Sequence, residues 1–258
     1  MFITTAGRTN EIMIEQAKQI ALQLNLPYVN RKKKTVRQLQ AAYNEDCLVV
    51  GKEKLELYKL NSEEPFFFHP SSANFRMKRL AKGQTDPLVE VCQLDKGMSF
   101  LDCTLGLGSD SIVASFAVGD SGKVTSIEQN EVIAFIVQEG LKNWDTTNEE
   151  MNCALRKIKV IASEATKYLA CLPDNCYDVV YLDPMFETHI EESANLDPLM
   201  NFAYFKKVDQ TLVNECLRVA KERVVLKDHY ESSLFEKFGF KQQIRKTSKF
   251  HYGILEKN

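Results

Sequence analysis

From about residue 85 onward, short apolar runs alternate with longer runs of helical period, and this alternation constrains the fold more than any other feature of the chain. Met98–Thr104, Val124–Ile127, Ile158–Ala162, Asp178–Leu182 and Arg223–Leu226 read as strands. The stretch ending at Val118, Val132–Leu141, Ala165–Leu172 and Val208–Ala220 read as helices. Strands separated by helices pair in parallel, because a parallel neighbour is reached only through a crossover. Phe240–Ile244 and Phe250–Leu255 follow one another with no helix between them, so one antiparallel strand near the sheet edge is expected. The expected fold is α/β, with a Rossmann-like, mostly parallel sheet.

Residues 1–64 read as a separate small α/β unit. Phe2–Thr5 is a short strand, and Met13, Ala17, Ile20, Ala21 and Leu24 recur at helical spacing with Thr9 or Asn10 as the cap. A short helix carries Val36, Leu39 and Tyr43, and Cys47–Val50 with Leu55–Leu60 suggests a hairpin around Gly51. A connector is expected over 65–84 and a catalytic domain over 85–258.

Charge enters through its distribution. The net charge is −2, yet residues 1–82 hold 14 Lys and Arg against 8 Asp and Glu, while the remainder holds 19 against 27. A basic first third on an acidic body suggests that one end meets a polyanion, and Arg31-Lys32-Lys33-Lys34 is its densest run. Arg76 and Arg79 share a helical face and could grip phosphates or simply be solvated. The seven cysteines include no CxxC pair, which argues against a disulfide framework or a zinc site and for a reducing cytosol. No apolar run is long enough to span a bilayer, and Met1–Arg8 lacks a secretory pattern. Membrane and metal are therefore not expected as partners.

In an open α/β sheet, ligands sit beyond the carboxyl ends of the strands. Three such ends carry suggestive residues. The first is Asp102-Cys103-Thr104-Leu105-Gly106-Leu107-Gly108-Ser109-Asp110, where glycines at a strand-to-helix turn let a ligand approach the backbone. The second is Glu128, twenty residues after Gly108, whose carboxylate could accept both hydroxyls of a ribose. The third is Ser163-Glu164, placed to flank an adenine. Together they suggest a nucleoside site. A dinucleotide fingerprint wants a third glycine where Ser111 stands, and Asp110 in the first helical turn would compete with a pyrophosphate. A ligand bearing an ammonium and a sulfonium, such as S-adenosylmethionine, suits those carboxylates better than NAD does.

The run Asp178-Val179-Val180-Tyr181-Leu182-Asp183-Pro184-Met185-Phe186 delivers an acid, a proline and an aromatic to the same edge. An amine conjugated to a base is a poor nucleophile, because its lone pair is delocalised into the ring. Acceptors for its hydrogens, here the Asp183 carboxylate and the Pro184 carbonyl, would turn that lone pair toward a methyl donor. Phe186 could stack on a flipped-out base. Lys227-Asp228-His229, after a predicted strand, could border the same pocket. His69 could cap or cover it.

Asp102–Gly108 resembles the first motif of class I S-adenosylmethionine-dependent methyltransferases, with Thr104 in place of that motif's first glycine. Asp183-Pro184-Met185-Phe186 resembles the Asp/Asn-Pro-Pro-Tyr/Phe motif of amino-group methyltransferases. The combination is similar to the family of the bacterial small-subunit ribosomal RNA guanine-N2 methyltransferase J and its Gram-positive relatives. The resemblance implies a strand order of 3-2-1-4-5-7-6 and S-adenosyl-L-methionine as cofactor. It also implies a pocket lined by Ser109, Asp110, Glu128, Gln129, Ser163, Glu164 and Asp183, and a ribosomal RNA substrate. An NAD-dependent oxidoreductase, a non-catalytic RNA-binding protein on the same fold, and methylation of some other amine remain as alternatives.

Overall fold

The structure, a computed structural model, describes residues 1–184, 202 and 208–257. They divide into two compact units, one built on Met1–His69 and one that begins at Pro70.

In the first unit, β1 (Phe2–Thr5), α1 (Glu11–Gln23), α2 (Val36–Tyr43), β2 (Cys47–Val50) and β3 (Leu55–Tyr58) follow in order. Asn10 starts α1 by accepting the Met13 N–H at 2.9 Å, and Met13, Ala17, Ile20 and Ala21 supply its buried face. Thr35 and Gln38 close a reciprocal capping box on α2, at 3.1 and 2.8 Å. β1 pairs in parallel with β2, Phe2 opposite Cys47, and β2 pairs antiparallel with β3. Phe2, Leu39, Cys47 and Val49 form the small core.

The second unit opens with α3 (Ser71–Ala81) and α4 (Pro87–Cys92). It continues through β4 (Ser99–Asp102), α5 (Ser109–Val118), β5 (Lys123–Glu128), α6 (Glu131–Asn143), α7 (Glu149–Arg156) and β6 (Lys159–Ala162). Then come α8 (Ala165–Ala170), β7 (Tyr177–Leu182), α9 (Gln210–Val219), β8 (Ala220–His229), α10 (Leu234–Lys237), β9 (Lys241–Gln243) and β10 (Phe250–Glu256). The seven strands lie in the order β6-β5-β4-β7-β8-β10-β9. Counted from β4, this is the order 3-2-1-4-5-7-6. β10 is antiparallel to both of its neighbours, and the other pairings are parallel.

Strand periodicity assigns the two faces of β7. Val180 and Leu182 join Leu101, Val213, Cys216, Val224 and Leu226 in one core cluster. Val179 and Tyr181 point the other way, and Tyr181 there meets α5 through its hydroxyl. β8 is longer than its sequence suggests. Only Arg223–Leu226 reads as an apolar run, but pairing on both sides extends the strand across Lys221, Glu222, Lys227 and Asp228. The short helices α4 and α7 are set by capping and packing rather than by a long hydrophobic period; α4 is capped by Asp86 and α7 by Asn148.

Candidate active site

The carboxyl end of β4 is fixed by neutral hydrogen bonds gathered on one buried acid. Asp102 Oδ1 accepts the Thr104 N–H at 2.9 Å and the Thr104 hydroxyl at 3.2 Å, and its Oδ2 accepts Ser111 Oγ at 2.5 Å. Ser111 Oγ lies 2.8 Å from Ser126 Oγ on β5. Burial pushes the Asp102 carboxyl up to about 7, against the lowering effect of the Ser111 hydrogen bond. Thr104 also accepts the Asp183 N–H at 2.7 Å, so one hydroxyl ties the end of β4 to the end of β7. A glycine at that position could not make this link.

Gly106 and Gly108 both take positive φ, 50° and 75°. A Cβ at Gly108 would stand 3.3 Å from Leu105 Cδ1 and 3.5 Å from Val137 Cγ1, so the turn needs glycine for both conformation and space. Ser109, half-buried, opens α5. Glu128 is half-buried at the end of β5; Oε2 accepts the Gly106 N–H at 3.3 Å and Oε1 the Asn130 N–H at 2.8 Å. Burial raises its pKa, opposed by those backbone donors. Gln129 beside it is exposed. Ser163 donates its N–H to the Glu128 carbonyl at 3.0 Å, which brings the end of β6 to the same edge. Glu164 caps α8, its two oxygens accepting the Thr166 and Lys167 N–H groups at 3.0 and 3.1 Å.

The end of β7 is held by ions. Asp183 Oδ2 lies 2.6 Å from Lys227 Nζ, which also reaches Asp110 Oδ2 at 3.1 Å. The Tyr181 hydroxyl donates to Asp110 Oδ2 at 2.7 Å, and Arg76 Nη1 meets Asp110 Oδ1 at 2.5 Å. Arg76 forks onto Asp86 through Nε and Nη2 at 2.8 and 2.7 Å. The result is a chain of alternating charge: Asp86, Arg76, Asp110, Lys227, Asp183. Burial works against ionisation of Asp110, but Lys227 and Arg76 outweigh it and hold its carboxyl below the usual range. For Asp183 burial wins over Lys227, with Asp110 adding repulsion, and the carboxyl rises to about 6. Burial opposes the charge on Lys227, but Asp183 and Asp110 keep the ammonium protonated.

The strand ends thus bring together Asp102, Thr104, Gly106, Gly108, Glu128, Ser163 and Asp183, with Pro184 half-buried beside them. Asp110 faces the ionic interior instead. Phe186, expected to stack on a base, lies outside the described residues. Arg76 is consumed by Asp86 and Asp110, which leaves no room for a phosphate role, while Arg79 is exposed and bonds Gln84 at 3.0 Å. His69 is exposed, its ring 5.3 Å from Phe67. Asp86 and Tyr181 belong to the network without any signal in the sequence, since neither sits in a local pattern with Asp110. Among the described residues there is no cluster able to hold a metal ion and no helix long and apolar enough to cross a membrane.

A sheet of this order, with a glycine turn after its first strand and acids at the ends of the first, second and fourth, defines a class I methyltransferase. Residues 31–252 match the family model described as "Putative SAM-dependent methyltransferase". The chain is 46% identical over 254 residues, 98% of each chain, to the uncharacterized protein YpiP of Bacillus subtilis (strain 168). It is 31% identical to ribosomal RNA small subunit methyltransferase J of Legionella pneumophila (strain Philadelphia 1), over 71% of this chain and 67% of that one. With the Aeromonas salmonicida protein of the same name it shares 30% identity over 82% and 81%. The crystal structure of the SAM-dependent methyltransferase NGO1261 from Neisseria gonorrhoeae superposes with a TM-score of 0.64 over 99% of this chain and 96% of that one. At 17% identity that likeness is one of fold. The chain belongs to this family of S-adenosylmethionine-dependent methyltransferases: it is an enzyme, and S-adenosyl-L-methionine is its cofactor. Family membership sets aside the oxidoreductase and the non-catalytic binding protein.

Proposed function

We propose that this cytoplasmic methyltransferase acts on an exocyclic amine of small-subunit ribosomal RNA, guanine N2. The observation that carries the reading is Asp183, anchored through its N–H by Thr104 and through Oδ2 by Lys227. No hydrogen bond among the described residues engages its Oδ1. One oxygen is thereby fixed, and the other could accept an N–H of the substrate. The names of the Legionella and Aeromonas relatives support the choice of RNA.

The donor set fits the cofactor. Glu128 and Asp183 bring two carboxylates to the strand ends, while the nearby cations Arg76 and Lys227 are already paired. A site with surplus carboxylate suits a ligand that carries positive charge. Glu128 would hold the ribose hydroxyls, Ser163 and Glu164 would flank the adenine with Gln129, and the Gly106–Gly108 turn with Ser109 would receive the amino-acid moiety. Bound there, S-adenosylmethionine supplies an electrophilic methyl group.

The chain's own groups prepare the nucleophile. Asp183 Oδ1 and the Pro184 carbonyl accept the two amine hydrogens and draw the lone pair out of conjugation. As the nitrogen gains its methyl group it must lose a proton, and a carboxylate near pH 6 can take it. Phe186 stacks on the base. The test is to map methylated bases of small-subunit RNA in cells with and without the gene, then assay transfer by the purified enzyme. We expect one N2-methylguanine to disappear, and Asp183→Ala to abolish transfer while cofactor binding persists. An unchanged methylation map, or full activity of Asp183→Ala, would overturn the reading.

A further inference from the structure

Residues 237–255 contain five Lys and Arg and not one Asp or Glu, in a chain whose net charge is −2. The strand register locates this stretch. β10 runs antiparallel on β8, with Phe250 opposite His229 and Tyr252 opposite Lys227, and Gln243 at the end of β9 is opposite Tyr252. The loop from 244 to 249 therefore leaves the sheet at the edge where Asp183 leaves β7. Three interstrand steps separate β9 from β7, about 14 Å along the sheet.

The loop has a defined shape. Gln242 Nε2 donates to the Tyr230 carbonyl at 2.9 Å, and the Tyr230 N–H donates to the Lys249 carbonyl at 2.9 Å. The Ser248 N–H closes a turn on the Arg245 carbonyl at 3.1 Å, and Arg245 lies over the Tyr252 ring. Lys241, Lys246 and Lys249 are exposed around it. Tyr230, 45% exposed, leans on His229 with ring centroids 4.5 Å apart, and Ile244 is 75% exposed. Exposed cations on a hairpin hydrogen-bonded to the backbone of Tyr230, whose partly exposed ring carries a hydroxyl donating to Glu231 Oε1 at 2.9 Å, suit a strand that alternates phosphates with flat bases. An acidic protein partner would find the charges but have no use for the ring face.

We infer that the β9–β10 hairpin grips the RNA strand beside the target nucleotide, with phosphates on Lys241 and Lys246 and a base against Tyr230. The inference rests on the RNA reading of the active site and adds the surface that holds the strand. It also moves the polyanion-binding surface away from Arg31–Lys34. There Arg31 is spent on its own backbone, donating to the Thr5 and Lys34 carbonyls at 2.9 Å each.

The experiment compares two variants of equal charge loss. One carries Lys241→Gln and Lys246→Gln; the other carries Lys32→Gln and Lys34→Gln. Fluorescence anisotropy with a single-stranded RNA 12-mer gives affinity against salt for each. We expect the hairpin variant to bind roughly tenfold more weakly or worse at 0.1 M salt. Its slope of log affinity on log salt should fall by about 1.4, near 0.7 for each phosphate that is no longer gripped. The other variant should keep the parental slope. Retained slope in the hairpin variant, or a reduced slope in the other alone, would overturn the inference. Should the double variant fail to fold, Lys246→Glu at the exposed turn gives the same test, and unaltered affinity there counts equally against it. Weakened 12-mer binding with no methyl transfer to ribosomal RNA would sink the substrate reading and leave the hairpin standing. Transfer with an unaltered slope would do the reverse.

Discussion

The two halves of the site are held by different forces. At the ends of β4 and β5, a buried acid, two serines, a threonine and backbone N–H groups are joined by hydrogen bonds, with no cation among them. At the ends of β7 and β8, three carboxylates and two cations alternate in an ionic chain. The first arrangement fixes shape. The second sets how readily Asp183 accepts a proton, because every charge in the chain acts on the next. A methyltransferase needs both: a rigid seat for a cofactor of constant shape, and an acceptor poised between two protonation states.

The comparison breaks most severely if the ionic half loses its centre. Arg76→Met leaves Asp86 and Asp110 buried without their shared partner, and should cost about 3–5 kcal/mol of stability in urea unfolding. A loss below about 1 kcal/mol would show that the network is ornamental. Glu128→Ala probes the other half. Cofactor affinity measured by calorimetry should fall by about 1.5–3 kcal/mol, the scale of hydrogen bonds to a charged group, while stability changes little. An unchanged dissociation constant would remove Glu128 from the cofactor seat.

Protonation separates the halves further. If Asp183 must be ionised to accept the amine, kcat should rise with pH through about 6, and Asp183→Asn should erase that limb. In Lys227→Met the lowering influence of the ammonium is gone, so the limb should move upward; a rise of one pKa unit, 1.36 kcal/mol, would leave about half the activity at pH 7. A limb that stays in place would detach Lys227 from Asp183. The smallest effect is expected from Asp102. Its folded pKa is raised, so between about pH 4 and 7 the unfolded chain has released a proton that the folded one retains. Stability should decline across that interval, and Asp102→Asn should flatten the decline.

The sheet was legible in the sequence because each of its strands except β8 and the polar β9 is an apolar run bounded by turn residues or charges. The glycine turn, Glu128 and Asp183 were legible for the same reason: a strand end is a fixed address, and an acid or glycine there stands out. β8 was underestimated because its second half, Lys227-Asp228-His229, is charged and becomes strand only by pairing with Phe250–Tyr252. The ionic chain was not legible at all. Arg76 meets Asp110 across 34 residues and Lys227 meets Asp110 across 117, and no local pattern encodes such partners. The same holds for the basic hairpin: averaging charge over the long acidic body hid a short stretch of one sign.

Those separations also set when the site can exist. The chain is synthesised from its N-terminus, and the glycine turn and Asp183 are complete well before Lys227 has been made. Until β8 emerges and docks on β7, the acceptor carboxylate and Asp110 stand side by side without the ammonium that reconciles them. Pairings this distant in sequence also carry the highest entropic cost to form. Catalytic competence should therefore be among the last properties a nascent or refolding molecule acquires, after its helices and its first strands, and no fragment ending before β8 can possess it.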